Sequence, residues 1–405
     1  MSVRSALALA AVLALPAVAA LAQDGPPAPA PVPTAPPAAA PADPLHAAFD
    51  AMMAARDGIR AAAALKDNDR VKAAQADHRA ASERFRDAFA VADWRSLDPA
   101  KDRELLSSGL FLVGSHGLEK KDGKAAVRAY EFFLSALGAE PNAKQVEVYL
   151  LPSAYLLDRQ LPKAVALWEK HARGADPALA GFASVALGDY RCATGDLAGA
   201  KSLWTATAAT PPAADPRRDP LAGARNDAQM RLDLVGSPAP EVDSKSWLGG
   251  EATPLSKMKG SVVIVDFWAT WCPPCREVMP GLNRLYGERR KDGLAVVGVT
   301  RYYKNGFMPA RGTKEPVSDG ESMRDLVEAD YPAHLAKFRE NLGIDYPFVT
   351  ATQAEFDAYR IRGIPSMFVL DRGGRVAFVK VGSGDETLLS MAVDRLLREP
   401  APPAK

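Results

Sequence analysis

The chain has 405 residues, of which 48% are hydrophobic and 24% charged, a balance typical of globular proteins that excludes wholesale disorder. Its formal net charge of +1 provides no electrostatic footprint for nucleic acid and no polybasic membrane signal. Three cysteines are too few for a scaffold held together by disulfides. At roughly 100–200 residues per domain, the length indicates two or three domains.

The N-terminal segment has the pattern of a cleaved export signal. Arg4 precedes an apolar run from Ala6 to Ala22, and the run ends in a small-x-small cleavage site. A retained membrane anchor is the alternative, but it needs about 20 apolar residues. This run is shorter and is broken by Pro16. We therefore predict that residues 1–22 are a signal peptide and that the mature protein is periplasmic or otherwise exported, where disulfides persist.

Residues 23–44 are predicted to be a linker. The stretch from Asp24 to Pro44 contains nine prolines and seven alanines in 21 residues. Such a stretch has almost nothing to bury, so a semi-rigid polyproline-like spacer is expected. A ligand for a proline-binding groove is the alternative, and a plain tether is favoured.

Residues 45–234 are predicted to form an all-α domain of helical hairpins, because helical patterns alternate with turn signals. A small residue followed four positions later by an aromatic recurs at intervals of 36–38 residues, which places each pair on one helix face. The pairs are Ala126 with Tyr130, Ala164 with Trp168, and Ala200 with Trp204. This pattern resembles tetratricopeptide repeats, which stack and present a groove to a partner. A generic bundle that packs on the next domain is the alternative.

The last third of the chain changes to strands alternating with helices. Its apolar runs predict four strands, at 262–268, 294–300, 366–370 and 376–381. Helices are predicted from Arg276 to about Arg290 and over 386–398. This order is that of an α/β thioredoxin-like domain.

Four motifs carry a more specific resemblance. The segment Val265–Glu277, which contains Cys272-Pro273-Pro274-Cys275, looks like the active-site segment of thioredoxin-family proteins. It is most similar to the exported TlpA/ResA branch of thiol–disulfide oxidoreductases. Three further motifs resemble that branch's cis-proline loop, strand turn and opening segment, respectively Gly363–Ser366, Asp371–Gly374 and Gly236–Pro240. The resemblance covers about 236–400.

The cysteine pair suits thiol–disulfide exchange. Cys272 is expected at a helix N-terminus, where unpaired N–H groups and the helix dipole favour the reactive thiolate. Pro273 and Pro274 lack N–H groups and fit the first helical turn. The resemblance implies that Cys272 is the exposed nucleophile and Cys275 the buried resolving thiol. It also implies a redox-active Cys272–Cys275 disulfide and no bound cofactor.

Asp266, Pro365 and Ile364 complete the predicted site by resemblance. Asp266 lies six residues before Cys272, at the position of the family's buried acid, and would accept the proton of Cys275. A solvated carboxylate at the strand end is the alternative. Pro365 would face the cysteines, and Ile364 would pair its backbone with a substrate peptide.

Trp271 is assigned with Pro273, Pro274 and Ile364 to the substrate-binding surface, and Trp268 is expected to pack near it. Glu277 is explained equally well by helix stability, since acids are favoured in a first helical turn. Cys192 is interpreted as a small buried hydrophobe.

Other chemistries fit the cysteine pair less well. A structural zinc site needs four ligands, and the chain has no second CxxC and no histidine pair. Covalent haem needs CxxCH, and Arg276 stands in place of the histidine. No metal or other cofactor is therefore predicted.

Residues 301–341 exceed the compact pattern of the resembling branch. They include an aromatic and basic segment, Arg301–Met308, and a predicted helix around Ser322–Asn341. Because ligand sites lie beyond the carboxyl ends of parallel strands, Arg301–Met308 could reach the active face. Packing on its own helix is the alternative.

The sequence thus predicts an exported thiol–disulfide oxidoreductase that acts on protein thiols or disulfides of the cell envelope. A membrane electron donor is an open possibility, and no nucleic acid partner is expected. The alternative is a protein-interaction scaffold, in which the helical repeats bind partners and the thioredoxin-like domain is an accessory peptide-binding module.

Overall fold

The computed structural model of the protein describes residues 43–215, 219–242 and 246–400. The predicted signal peptide and nearly all of the predicted linker lie outside these ranges. The chain forms two compact units, the first ending at Ala154 and the second beginning at Tyr155. None of the described helices combines the length and apolar composition that crossing a membrane requires.

The first unit is built from helices. They are α1 (Pro44–Ala64), α2 (Asn68–Val91), α3 (Arg103–Glu119), α4 (Gly123–Leu137) and α5 (Ala143–Gln145), followed by a π-helical turn (Val146–Leu150) and α6 (Leu151–Leu157), whose last three residues belong to the second unit. Helix α1 packs on α2, and α3 packs on α4. Fully buried aromatic side chains, among them Phe85, Phe89 and Phe133, form its core.

The second unit also opens with helices, α7 (Leu161–Ala172), α8 (Pro177–Thr194), α9 (Leu197–Ala208) and α10 (Ala222–Leu234). Helices α8, α9 and α10 share one hydrophobic core with the strands that follow. The thiol of Cys192 on α8 donates a hydrogen bond to the carbonyl of Ala377, at 3.1 Å. The compact unit therefore extends well before residue 236, the predicted domain boundary, which marks where helices give way to strands.

The predicted repeat positions are alike in burial and in the turn that precedes each helix. All six residues of the three small–aromatic pairs are buried. The residue two positions before each repeated helix has a positive φ: Lys121 at 58°, Arg159 at 58° and Gly195 at 96°. The helical character of the region is confirmed, and its assignment to tetratricopeptide repeats stays a prediction.

The α/β part contains one six-stranded sheet. Its strands are β1 (Trp247–Leu248), β2 (Val262–Phe267), β3 (Leu294–Thr300), β6 (Phe348–Thr350), β7 (Ser366–Leu370) and β8 (Val376–Val381), in the order β1-β6-β3-β2-β7-β8. Strands β2, β3 and β6 are parallel, and β7 runs antiparallel to both of its neighbours, β2 and β8. Helices α11 (Pro273–Arg289), α12 (Tyr331–Leu342), α13 (Gln353–Ala358) and α14 (Thr387–Arg398) complete it. The predicted fold class, a helical region followed by an α/β thioredoxin-like domain, is confirmed.

The segment beyond β3 differs from its prediction. This segment contains a two-stranded hairpin, β4 (Gly306–Pro309) with β5 (Gly320–Met323). Strand β5 extends into the first two residues of the predicted helix 322–341. Helix α12 begins only at Tyr331 and carries a proline in its first turn, where a missing N–H costs nothing. The expected helix is therefore wrong over its first nine residues, 322–330.

Candidate functional site

The two cysteines of the CxxC motif lie at the N-terminus of α11 and form a disulfide. Cys272 is the N-cap residue, and the N–H of Cys275 donates to its Sγ at 3.2 Å. Pro273 and Pro274 occupy the first helical positions and are half-buried. Because prolines have no N–H, the first N–H of the helix is that of Cys275, which donates to the sulfur. In the reduced protein this donor and the helix dipole would favour the Cys272 thiolate over the thiol.

The cis-proline loop covers the pair. The Ile364–Pro365 peptide is cis, and the carbonyl oxygen of Ile364 lies 3.8 Å from the Sγ of Cys272. Cys272 is 2% exposed and Cys275 is 0% exposed. In the disulfide state, the expected exposure of Cys272 is therefore not observed, because this loop lies against its sulfur. Gly363, next to Ile364, is exposed and leaves backbone accessible beside the pair.

Asp266 is a buried acid in the middle of the sheet. It lies in β2, opposite Gly298 of β3 and Met367 of β7, and is 0% exposed. Neither of its carboxylate oxygens has a hydrogen-bond partner among the described residues. Burial raises the pKa of Asp266 to about 7, although the positive charge of Lys380 opposes the shift. The carboxyl group is thus not a solvated strand-end acid. With this pKa, it would change between its protonated and ionised forms near neutral pH.

Arg276 ties the cysteine pair to the segment beyond β3, and sequence reasoning missed this role. Its guanidinium is 3% exposed and donates to the carbonyl of Thr270 at 2.6 Å. It also donates to the carbonyls of Pro316 and Val317, both at 2.8 Å. The same group lies 3.8 Å from the centre of the Phe307 ring. The only signal in the sequence was an arginine directly after the CxxC motif.

A second contact fastens the same loop. The Nε2 of His334, on α12, lies 3.1 Å from the hydroxyl of Thr270 in a buried hydrogen bond. Burial lowers the pKa of His334, which favours the neutral imidazole. The loop that leads into Cys272 is therefore bonded to the segment beyond β3 through both the backbone and the side chain of Thr270.

The aromatic segment does reach the cysteine pair. The ring of Tyr303 meets Trp271 edge to face, with ring centres 5.4 Å apart, and Trp271 is 40% exposed. Tyr302 turns the other way and packs on Tyr331 of α12, at 5.5 Å. Tyr303 thus reaches the active face, as expected for this segment, whereas its neighbour Tyr302 packs on the segment's own helix, as the alternative expected. Trp268 is fully buried in the core.

Two further residues that the sequence singled out are Cys192 and Glu277. Cys192 is buried, and burial raises the pKa of its thiol to about 12, so the thiolate is suppressed. Glu277 is half-buried on α11. Within the described ranges, no group of three or more histidine, cysteine, aspartate or glutamate side chains could hold a metal ion.

Comparison with known proteins finds one family match in the last part of the chain. Residues 234–396 match the Redoxin family. The protein is 29% identical to Protein DipZ of Mycobacterium tuberculosis over 185 residues, which are 44% of this chain but only 23% of that protein. It is also 29% identical over 150 residues to thiol-disulfide oxidoreductase ResA of Geobacillus thermodenitrificans, covering 37% of this chain and 70% of ResA.

Solved structures show a similar extent of likeness. The crystal structure of a thiol:disulfide interchange protein of the thioredoxin family from Chlorobium tepidum is 26% identical. It covers 40% of this chain and 96% of its own, with a TM-score of 0.31. The α/β part of the chain therefore has a thioredoxin-like fold and is similar to the Redoxin family and to thiol-disulfide oxidoreductases such as ResA.

Proposed function

We propose that the protein is a thiol–disulfide oxidoreductase that exchanges disulfides with other proteins through Cys272 and Cys275. One observation carries the proposal: the bonded cysteines lie at a helix N-terminus, directly against the cis-Pro365 loop. The family match and the names of the relatives support the same reaction. The scaffold alternative is not favoured, because it gives the redox pair no role.

The exchange proceeds in two balanced steps. The Cys272 thiolate attacks one sulfur of a partner disulfide, forms a mixed disulfide and releases the partner's other sulfur as a thiolate. The Cys275 thiolate then attacks the Cys272 sulfur, closes the intramolecular disulfide and releases the second partner thiol. Two electrons pass from the protein to the partner, and the reverse sequence oxidises a partner dithiol.

Asp266 is proposed to take the proton that Cys275 must lose. A buried carboxyl with a pKa of about 7 can accept a proton from a thiol and return it in the reverse reaction. Pro365 and Ile364 would hold the partner backbone, and Trp271 with Pro273 and Pro274 would form the surface around it. These assignments rest on the family resemblance and on the position of the residues around the pair.

We further propose that the reaction takes place outside the cytoplasm on envelope proteins, after removal of residues 1–22. The helical region 45–234 would recruit or orient those partners, and a membrane protein could supply the electrons. Support comes from the N-terminal sequence pattern and from the absence of a redox motif in the helical region.

Reduction of insulin disulfides in the presence of dithiothreitol tests the proposed function. The mature full-length protein should accelerate insulin precipitation, and Cys272→Ser should abolish the effect. Cys275→Ser should instead accumulate mixed disulfides. Cys192→Ser is the matched control, because that thiol is buried elsewhere, and it should retain wild-type activity. A wild-type protein that leaves insulin intact, or a Cys272→Ser variant that remains active, would refute the proposal.

A further inference from the structure

Arg301 occupies an unusual position at the active edge of the sheet. It directly follows β3, whose carboxyl end lies beside that of β2, the strand leading to the cysteines. Its guanidinium lies over the ring of Tyr303, 4.6 Å from the ring centre, and 5.7 Å from the ring centre of Phe356. Tyr303 in turn contacts Trp271, the residue before Cys272. We call Trp271, Tyr303 and Arg301 the aromatic–arginine stack.

The charge of Arg301 has no protein counterpart in the described parts of the chain. No carboxylate forms an ion pair with it there, and its buried Nε has no hydrogen-bond partner. A guanidinium is always charged at physiological pH and carries five donors in a rigid fork. Two aromatic faces compensate part of its lost hydration, but they satisfy none of these donors.

The surface around the stack contains exposed apolar side chains. Trp271 and Val327 are two of the few large hydrophobic side chains that are strongly exposed in the described structure. The N–H of Leu326, next to Val327, donates to the carbonyl of Lys304, next to Tyr303. The anchors of Arg276 and His334 hold this segment in place beside the cysteine pair. An exposed apolar surface, with a guanidinium whose Nε has no protein partner, therefore lies around the residue that precedes Cys272.

We propose that the aromatic–arginine stack determines substrate specificity by binding an acidic side chain of the partner polypeptide close to its reactive cysteine. This inference rests on the proposed function. A carboxylate matches the guanidinium fork in charge and geometry and can form two parallel hydrogen bonds with it. The apolar part of the partner segment would cover Trp271.

The geometry limits where the acidic residue can lie. The stack spans two ring contacts, of 5.4 and 4.6 Å, from Trp271 to the guanidinium. An extended chain advances about 3.3 Å per residue, so the carboxylate should lie roughly two to four residues from the cysteine. The preferred substrate is therefore a cysteine with aspartate or glutamate at that spacing.

A pair of matched peptides tests this specificity in the full-length protein. Each peptide carries one cysteine in a mixed disulfide with a chromogenic thiol, and the two differ only by aspartate or asparagine three residues away. The reduced wild-type protein should react with the aspartate peptide about five- to tenfold faster, as expected for one charge-assisted contact. Arg301→Gln should remove this preference while the rate on the asparagine peptide stays within about twofold of the wild-type rate.

Arg324→Gln is the matched control, because it removes an exposed positive charge from the same segment outside the stack. The control should keep the preference. Equal rates of the wild type on both peptides would overturn the proposal without any variant, and so would a control that loses the preference as Arg301→Gln does. An Arg301→Gln variant that slows both peptides equally would assign the stack a purely structural role. Failure of the wild type on both peptides and on insulin would instead refute the proposed function.

Discussion

The side chain of His334 holds the hydroxyl of Thr270 at 3.1 Å, so helix α12 is bonded to the loop that carries the first cysteine. The bond is buried, and the imidazole has no other hydrogen-bond partner among the described residues, since its Nδ1 is unsatisfied. Position 270 thus joins two parts of the chain that lie 64 residues apart.

Thr270→Val should destabilise the protein. The substitution keeps the side-chain volume but leaves a buried His334 nitrogen without a partner, which costs about 1–3 kcal/mol of unfolding free energy. Urea denaturation at pH 7.5 measures this change. Thr205→Val, at an exposed helical position, is the control and should remain close to wild type. Identical midpoints for the two variants would show that the hydrogen bond contributes nothing to stability.

Asp266→Asn should change the pH dependence of stability. The pKa of Asp266 is raised from 3.8 to about 7, so between these values the folded protein binds more protons than the unfolded chain. Wild-type stability should therefore fall as the pH rises from about 4 to about 7, and the variant should lack this loss. The unfolding free energy of the variant minus that of the wild type should be larger at pH 8 than at pH 4, by up to roughly 4 kcal/mol.

Thermal unfolding of the oxidised forms between pH 4 and pH 8 measures this effect, with Asp50→Asn, at an exposed position, as control. Parallel curves for wild type and Asp266→Asn would contradict the raised pKa. In stopped-flow experiments, Asp266→Asn should also slow resolution of the mixed disulfide, while attack by Cys272 stays near the wild-type rate. Equal slowing of both steps would indicate a structural role for the carboxyl group.

Gly188→Ala should disrupt the packing of α8 on α9. A Cβ at this position would lie 2.3 Å from the Nε1 of Trp204, which is fully buried and cannot move freely. Such overpacking typically costs about 1–3 kcal/mol. Gly223→Ala, in α10, has no atom within 4 Å of the added Cβ and should stabilise the protein by about 0.5–1 kcal/mol. Chemical denaturation of both variants checks the two signs, and a neutral Gly188→Ala would refute the tight contact.

Two fragments test the extent of the second unit. Residues 155–405 should fold and unfold cooperatively, because they form one compact unit in which helices α8–α10 share a core with the sheet. Residues 236–405 alone would expose the surfaces of β8 and α14 that α8 covers, so this fragment should be less stable or aggregate. Circular dichroism and urea titration compare the two. A shorter fragment as stable as the longer one would support the boundary predicted at 236.

Much of the redox site could be predicted because it is encoded by neighbouring residues. The CxxC motif and its prolines determine a helix N-terminus locally, through missing N–H groups and restricted φ angles. Strands β3, β7 and β8 have the predicted bounds, because continuous apolar runs between turn residues allow few alternatives. Asp266 and Pro365 were assigned to the site from the resemblance of their positions to the family's motifs, and their roles stay predictions.

Other features depended on contacts between distant residues. The sequence did not reveal that Arg276 binds the carbonyls of Pro316 and Val317, since a backbone acceptor leaves no mark in residue identity. It also did not separate the hairpin β4–β5 from helix α12. The sequence by itself determined the chemistry of the cysteine pair, because that chemistry needs only a helix start and two thiols one turn apart. The tertiary structure decided what surrounds the pair, because long-range packing places Arg301, Tyr303 and His334 beside it.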